Sequence, residues 1–343
     1  MPLGTKATER VAIVGASTLL GKEVKEVLEE RNFPAGEIVL LDDSVMAGTL
    51  TEAGGEATFI RPLEADSFDR VRFAFFTGSA ADTQRNWQTA FHAGTVVIDM
   101  TGSLTASHDS LLRIPSLENG ATPTSLLPGT RKKPAGIYSS PSTGVIIVCS
   151  LSAALADLSV RSLALVLFPP ISDHDQVGVE ELESQTASLL SFRPIAQSVF
   201  DAQVAFNLLS EYGQASKSRL SEARRAITRD VSEYLAGRTP VPAIQLMQAP
   251  VFYGYAFAAY AEFDSANLLD PLRAAMIKKG MKPAPPEASA PSNVNIAGEA
   301  EIRVGSIARD DNVERGVWIS GVADNLRVAA INAVRIAEEH LAT

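Results

Sequence analysis

Hydrophobic and polar positions divide the first part of the chain into a strand, a turn and a helix. Residues 11–14 form an uninterrupted apolar run, which is typical of a strand buried on both faces of a parallel sheet. Residues 22–31 are predicted to form an amphipathic helix, whose inward face carries three apolar side chains: Val24, Val27 and Leu28. The turn between them contains two glycines. Such a turn predicts an anion site, because unpaired N–H groups and the positive end of the helix face the same point.

The glycines of this turn match part of the dinucleotide-binding fingerprint. Gly15 and Gly21 occupy its first and third glycine positions, whereas Thr18 stands at the second, where the backbone must approach a pyrophosphate. The pattern therefore favours the fold more strongly than it favours a bound dinucleotide. The candidate cofactor-binding residues of the glycine loops are Gly15, Ser17, Thr18, Leu19, Gly21 and, after a later strand, Gly78.

Short apolar runs continue the same rhythm. We predict further strands at residues 37–41, 71–76 and 95–99, and loops that contain polar residues or glycine at their carboxyl ends, where ligands bind in a doubly wound sheet. Asp42 and Asp43 end the second strand, in position to bind a ribose 2′-hydroxyl and to repel a 2′-phosphate. The alternative is that both residues only cap a turn. Residues 1–135 are thus predicted to form a Rossmann-type α/β domain.

The pattern changes after a loop or hinge predicted at residues 120–134, which are rich in Pro, Thr, Gly and basic residues. Residues 136–324 favour an α+β domain. Its predicted helices are 145–155, 177–190 and 218–235, and its predicted strands are 162–168, 243–252 and 258–263. Val179, Leu182, Thr186 and Leu189 are expected on one face of the helix at 177–190. Residues 282–292 are predicted to be a surface excursion, and residues 325–341 the last helix.

Composition narrows the functional classes. The chain has 343 residues, enough for two domains, and its net charge of −10 argues against nucleic acid or anionic membrane as partners. No apolar run reaches the length of a membrane span, and a single cysteine argues against a disulfide or a Cys-rich zinc site. We therefore expect a cytoplasmic protein without a metal site.

The chain resembles the aspartate-semialdehyde dehydrogenases over nearly its whole length. The resemblance rests on the order and spacing of several stretches: 11–21, 27–34, 47–48, 95–99, 178–182, 249–252 with Gly254, 304–307, 323–327 and 330–333. It implies a nucleotide domain of residues 1–135, to which the last helix returns with residues 325–343. It also implies an α+β dimerisation domain of residues 136–324, and hence a homodimer with an intersubunit sheet. The family's reaction is the reduction of an acyl phosphate to an aldehyde through a cysteine thioester.

The catalytic residues that the resemblance implies are altered in this chain. The family cysteine falls at Thr143, and a threonine hydroxyl with no evident base is a far weaker nucleophile than a thiolate. Cys149 lies six residues on, in an apolar run, and is expected to be buried and inert. The family histidine base falls at Tyr255, whose ordinary pKa of about 10 makes it a poor base at neutral pH.

The binding positions are altered as well. The two substrate arginines would fall near Leu104 or Thr105 and at Gln248, and the substrate glutamine would fall near Pro170. The arginine that holds an NADP 2′-phosphate falls at Val45, so NAD is possible and NADP is less favoured. Only Glu222 and Arg225 match the family's acidic and basic helix pair, and an i,i+3 ion pair explains them equally well. His92, His108, His174 and His340 are expected in surface or capping roles.

We interpret the chain as a semialdehyde dehydrogenase-like paralogue that lacks the catalytic Cys and His. It would act as a dimeric scaffold or a partner of another protein. A competing hypothesis is an active NAD(P)-dependent oxidoreductase of changed chemistry, which uses Thr143, Tyr255 or Ser142. A third, an NAD-responsive binding module, is compatible with the first. The partner or small-molecule ligand is not identified by these patterns.

Overall fold

The computed structural model describes residues 8–43, 46, 48–53, 56–118, 136–265, 269–285 and 287–342. The chain divides into two compact units. Unit 1 comprises Met1–Pro141 and Ala329–Thr343, and unit 2 comprises Ser142–Val328. The predicted loop or hinge at residues 120–134 and Val45 lie outside the described residues.

Unit 1 is a Rossmann-like α/β unit. In chain order its elements are β1 (Glu9–Val14), α1 (Leu19–Glu30), β2 (Ala35–Asp42), β3 (Leu50–Ala53), β4 (Glu56–Phe59), β5 (Arg61–Pro62), β6 (Phe73–Phe76), α2 (Ala80–His92), β7 (Val96–Asp99), α3 (Ser103–Ala106), β8 (Leu111–Leu112), α4 (Pro115–Glu118) and β9 (Ile137–Ser139). Within the described ranges, seven of these strands form one parallel sheet in the order β5-β2-β1-β6-β7-β9-β8. Strands β3 and β4 form a separate hairpin.

The apolar run in β1 is buried on both faces, as its sequence predicts. Val11 and Ile13 pack on one side of the sheet with apolar residues of α1 and of the last helix. Ala12 and Val14 pack on the other side, in a cluster that includes Trp87 of α2. Because successive strand residues point to opposite faces, a continuous apolar run fits a strand covered by helices on both sides.

Unit 2 is built on a mixed sheet. Its elements are α5 (Thr143–Leu155), β10 (Val160–Phe168), α6 (Asp175–Leu190), α7 (Leu220–Leu235), β11 (Ala243–Leu246), β12 (Tyr255–Phe263), α8 (Leu269–Lys278), β13 (Lys282–Pro283), β14 (Arg303–Arg309), β15 (Gly316–Ala323) and α9 (Asn325–Leu341), whose last residues belong to unit 1. Six strands of this unit pair in the order β11-β10-β12-β15-β14-β13. Helix α5 is apolar on all sides and is buried, in contact with α7, α8 and β10.

Several predicted boundaries are wrong. The predicted second domain starts at residue 136, but β9 pairs between β7 and β8 and so belongs to the sheet of unit 1. The strand predicted at 243–252 ends at Leu246: Met247 still donates to Leu167 of β10, but Gln248 leaves the sheet and pairs with Leu209. Part of the predicted surface excursion pairs with β14 as the short strand β13.

Helix α6 buries polar side chains rather than the apolar face expected for it. Val179, Thr186 and Leu189 are only partly buried, whereas Glu181 and Gln185 are buried with Leu182. Glu181 accepts N–H bonds from Val199 and Phe200, and Gln185 accepts them from Val204 and Ala205. The loop that folds over the helix therefore needs polar partners at these positions, because its buried N–H groups must be hydrogen-bonded.

None of the helices in the described ranges is both long and apolar enough to cross a membrane.

Candidate functional site

The glycine turn of unit 1 is held by close backbone approach. Gly15 has a φ of +88°, and a Cβ added there would lie 2.4 Å from the Cα of Gly78. A Cβ added at Gly21 would lie 2.4 Å from the Gly15 carbonyl oxygen. Glycine is needed at Gly15 and Gly21 because the strand end, the loop after β6 and the first turn of α1 meet here without room for side chains. The structure thus brings Gly15, Gly21 and Gly78 together.

Thr18 caps helix α1. Its Oγ1 accepts the Gly21 N–H at 2.9 Å and donates to the Gly15 carbonyl at 2.7 Å, so the helix begins at Leu19 rather than at Lys22. A threonine at this position satisfies one of the N–H groups that a helix start leaves unpaired. The second-glycine position of the fingerprint is therefore filled by a residue that stabilises the helix end.

A carboxylate already occupies part of this turn. Asp42 Oδ2 accepts the Ser17 N–H at 2.8 Å, and its Oδ1 accepts the Asp43 N–H at 2.9 Å. The N–H groups of Gly15 and Ala16 bond the Leu41 carbonyl. Asp43 is exposed, and its Oδ1 accepts the Met46 N–H. The acidic pair thus lies at the end of β2 beside the glycine turn, and both carboxylates bond backbone N–H groups of loops, as the capping interpretation predicts.

Thr143 lies in unit 2, at the first residue of α5. The residue is 2% exposed, and its Oγ1 donates to the carbonyl oxygen of Asn325 at 2.6 Å. The hydroxyl proton is therefore directed into the protein, onto a backbone acceptor. Asn325 was not identified from the sequence as a site residue, although it belongs to the 323–327 stretch that carries the resemblance.

Asn325 joins four segments of unit 2. Its side-chain oxygen accepts the Gly254 N–H at 3.1 Å, next to Tyr255. Its side-chain nitrogen donates to Ser172 Oγ at 3.1 Å and to Asp173 Oδ1 at 2.9 Å. Together with the Thr143 bond, these contacts bring the starts of α5, α9 and β12 to the turn that precedes α6. We call this group, Thr143, Ser172, Asp173, Gly254, Tyr255 and Asn325, the Asn325 cluster.

Tyr255 is buried in the same cluster. The residue is 2% exposed, and a Cβ added at Gly144 would lie 2.9 Å from its hydroxyl oxygen. Burial, with a smaller effect from the negative charge of Asp173, raises the pKa of the Tyr255 phenol well above its ordinary value. The phenol stays protonated at neutral pH and cannot accept a proton as a general base.

Both polar atoms of the Gln248 side chain are hydrogen-bonded within the protein. It is 1% exposed; its Nε2 donates to the carbonyls of Pro169 and Ala249, and its Oε1 accepts from the Tyr212 hydroxyl at 2.6 Å. The two carbonyl acceptors fix the orientation of the amide. The Tyr212 oxygen in turn lies 2.8 Å from His174 Nε2.

The surface or capping role predicted for His174 is wrong. Its ring packs edge-on against Phe200 and Tyr212, with centroids 4.8 and 5.4 Å away. Burial lowers the pKa of the imidazole to about 4, so the ring is neutral at physiological pH. The polar run Ser172-Asp173-His174-Asp175, separated from the end of β10 by three residues, was the sequence signal that could have pointed to this region.

The remaining sequence candidates lie elsewhere. Leu104 and Thr105, at a position of a substrate arginine, are buried in unit 1. Glu222 and Arg225 form an exposed i,i+3 pair, with a nitrogen–oxygen distance of 3.8 Å. Cys149 is fully buried, as predicted, and burial raises the pKa of its thiol. Within the ranges that the structure describes, no group of three or more His, Cys, Asp or Glu side chains is arranged to hold a metal ion.

Comparisons with known proteins agree with both units. Residues 10–123 match the model of the semialdehyde dehydrogenase NAD binding domain, and residues 174–328 match that of the semialdehyde dehydrogenase dimerisation domain. The chain is 31% identical to a USG-1 protein homolog of Pseudomonas aeruginosa over 341 residues, with 96% of each chain covered. It is 29% identical to a USG-1 protein homolog of Azotobacter vinelandii, again over 96% of each.

A solved structure is also similar along the whole chain. The structure of a probable aspartate-semialdehyde dehydrogenase from Pseudomonas aeruginosa matches with a TM-score of 0.84 and 29% identity. The match covers 96% of this chain and 97% of the other. The two family models together include the glycine turn of unit 1 and, in unit 2, Gly254, Tyr255 and Asn325.

Proposed function

This chain belongs to the semialdehyde dehydrogenase family, and from that premise we propose that it is a catalytically degenerate member. It acts as a dimeric scaffold or as an NAD-responsive binding protein. The observation that carries the proposal is the Thr143 hydroxyl, which donates its proton to the Asn325 carbonyl at 2.6 Å. The residue at the position of the family nucleophile is thereby a structural hydrogen-bond donor.

A nucleophile at this position would have to lose a proton. The Thr143 Oγ1 proton points to a backbone carbonyl, which is not a base. Tyr255, at the position of the family base, stays protonated because burial raises its pKa. Cys149 offers no substitute, since it is fully buried and its thiol pKa is raised. Nucleophile and base act as a unit in such reactions, so the loss of both removes many orders of magnitude in rate.

The position of a substrate-binding arginine has also lost its function. A guanidinium binds a carboxylate or a phosphate through two parallel hydrogen bonds. At Gln248 this group is replaced by a buried amide that already bonds Tyr212, Pro169 and Ala249. The positive charge is lost at this position, so an anionic substrate loses a strong contact.

The glycine turn fits a dinucleotide poorly. A pyrophosphate at this helix end would meet the Asp42 carboxylate, which already accepts the Ser17 N–H at 2.8 Å. A pyrophosphate and the Asp42 carboxylate are both negative, so they would repel each other at contact distance. If a dinucleotide binds, we propose NAD rather than NADP, because Asp42 and Asp43 would also repel a 2′-phosphate, whereas their unused lone pairs can still accept a ribose hydroxyl.

The dimer is proposed to form through the sheet of unit 2. Residues directly opposite on β10, β12 and β15 place small and aromatic side chains on one face: Ala164, Val166, Ala256, Ala258, Tyr260 and Trp318. The Tyr260 and Trp318 rings lie 5.0 Å apart, and Trp318 remains 48% exposed. An apolar, aromatic sheet face of this kind is suited to a second copy, and the family's dimerisation model covers β12 and β15, although β10 lies before its first matched residue.

Steady-state kinetics tests the proposal. The purified chain is assayed for phosphate-dependent oxidation of aspartate semialdehyde with NAD or NADP, beside an active aspartate-semialdehyde dehydrogenase as a positive control. We expect no turnover above the rate without protein. The alternative, an active oxidoreductase with altered catalytic residues, predicts turnover that is lost in Thr143→Ala or Tyr255→Phe.

A further inference from the structure

Asp173 is the acidic residue of the Asn325 cluster. It lies in the short turn Ile171–His174 between β10 and α6, and the residue is exposed to solvent. Its Oδ1 accepts the Asn325 side-chain N–H at 2.9 Å. Among the residues that the structure describes, no lysine or arginine forms an ion pair with Asp173.

The histidine and the two tyrosines near Asp173 are uncharged at neutral pH, and Glu211, which also acts on Tyr212, is acidic. Burial holds His174 in its uncharged form, with a pKa of about 4, and burial raises the pKa of both Tyr212 and Tyr255 above the ordinary value. The charge of Asp173 contributes to both tyrosine shifts, so it lies close enough to act on each ring. Although water reaches the residue, the protein atoms packed around its carboxyl raise its pKa to about 7.

Asp173 lies beside the positions of the family chemistry. Asn325 links it to Thr143 through its backbone carbonyl and to Gly254, the neighbour of Tyr255, through its side-chain oxygen. At Gln248, where the family has an arginine, the side chain is neutral and fully bonded. The positive charge expected here is absent at that position, and a carboxylate is present in the cluster.

We propose that Asp173 and Asn325 form a binding site for a small ligand that carries a primary ammonium group. This inference rests on the proposed function, because a site with this charge no longer suits the anionic substrate of an active enzyme. An accessible carboxylate without a counter-charge favours a cation and repels a carboxylate or a phosphate.

The geometry selects an ammonium over a guanidinium. Asp173 Oδ1 is already bonded to Asn325, so Oδ2 is the oxygen that remains for a ligand. A guanidinium gains most from two parallel bonds to both carboxylate oxygens, whereas an ammonium is a compact charge that binds one. Ser172, the preceding residue of the same turn, accepts a second hydrogen bond from the Asn325 side chain through its Oγ.

Binding of three matched probes tests the proposal. The full chain is titrated with n-propylammonium, n-propylguanidinium and propionate near pH 8, where Asp173 is mostly ionised, and binding is followed by ligand-observed NMR. We expect n-propylammonium to bind most tightly and propionate not to bind. In Asp173→Asn the dissociation constant of n-propylammonium should rise about tenfold or more, because a charged hydrogen bond is lost.

The control variant is Asp157→Asn, which removes one exposed carboxylate from the same unit and should leave binding unchanged. Equal binding in wild type and Asp173→Asn, or tighter binding of propionate, would overturn the proposal. If Asp173→Asn fails to fold, the wild-type protein is titrated with n-propylammonium at several pH values instead. Binding should weaken as Asp173 is protonated between about pH 8 and pH 5.5. His174, Tyr212 and Tyr255 keep their charge state over this range. Binding that is independent of pH would contradict the assignment.

The two proposals fail separately. Dehydrogenase turnover would refute the proposed function whatever the amine titration shows. Absence of turnover together with absence of amine binding would refute only the ligand assignment.

Discussion

Replacement of Thr143 by valine isolates the hydroxyl that fills the nucleophile position. Valine has nearly the same shape, so Thr143→Val removes the bond to the Asn325 carbonyl with little change in packing. Thr143 is 2% exposed, and the bond spans 2.6 Å, so water does not replace it. A lost hydrogen bond that leaves a buried partner unsatisfied costs about 1–3 kcal/mol. Asn325 begins α9, so its carbonyl can also accept a helical N–H and is not left wholly unsatisfied. We therefore expect Thr143→Val to lower the free energy of unfolding by about 1–2 kcal/mol.

Thr105→Val is the matched control. Thr105 is 1% exposed, like Thr143, but its Oγ1 has no hydrogen-bond partner in the described part of the chain. The same substitution there removes an unsatisfied buried hydroxyl and should be neutral or stabilising. The two sites thus differ in the hydrogen bond and not in the chemistry of the change.

Fluorescence can follow each unit separately. Trp87 lies in unit 1 and Trp318 in unit 2, and they are the two tryptophans of the chain. In single-tryptophan backgrounds, thermal unfolding of unit 2 should shift down by about 2–8 °C in Thr143→Val, since a unit of this size loses about 2–4 °C per kcal/mol. If neither Thr143→Val nor Thr105→Val lowers the unfolding temperature, the structural role of the Thr143 hydroxyl is refuted.

Three further predictions concern unit 2. His174→Gln should reduce the acid sensitivity of folding. The folded-state pKa of about 4 lies below the unfolded value of about 6.5, so His174 contributes stability above pH 6.5 that is lost as the pH falls. In denaturant titrations, the free energy of unfolding of the wild type minus that of His174→Gln should fall by about 1–2 kcal/mol between about pH 8 and pH 5. A difference that is independent of pH would contradict this. Thr143→Cys should react with iodoacetamide but gain no dehydrogenase turnover, even with Tyr255→His, because the arginine at position 248 is still missing; brisk turnover would mean that the remaining site is intact. Trp318→Arg should convert a dimer to a monomer in light scattering at micromolar concentration, and a dimer of unchanged mass would exclude this sheet face as the interface.

The sequence was sufficient for four strands of the sheet of unit 1, β1, β2, β6 and β7, and for its glycine turn. A buried run such as residues 11–14 and the pair Gly15 and Gly21 are visible in the local pattern, although β6 and Gly78, against which they pack, lie far along the chain. Thr18 was read as an obstacle to a pyrophosphate, although threonine is also a preferred helix cap. The capping preference determined where α1 begins.

The Asn325 cluster could not be predicted in the same way. Asn325 lies 182 residues from Thr143 and 152 from Asp173, and Gln248 lies 36 residues from Tyr212. Such contacts depend on how the sheet and helices of unit 2 pack, which periodicity does not report. The strand predicted at 243–252 failed for a related reason: apolar composition continues past Leu246, but the chain leaves the sheet to place Gln248 against Tyr212.

Trapping of an acyl-enzyme tests the absence of catalysis most directly. In the family's chemistry, oxidation of aspartate semialdehyde by a dinucleotide leaves the acyl group on the nucleophile, and without phosphate that group has no acceptor. Intact-protein mass spectrometry after incubation with aspartate semialdehyde and NAD or NADP would detect even one slow turnover, and an active family enzyme serves as the positive control. We predict that this chain keeps its unmodified mass while the control gains the acyl group. An adduct on the peptide that contains Thr143 would contradict the proposal and identify the chain as an enzyme with an altered nucleophile.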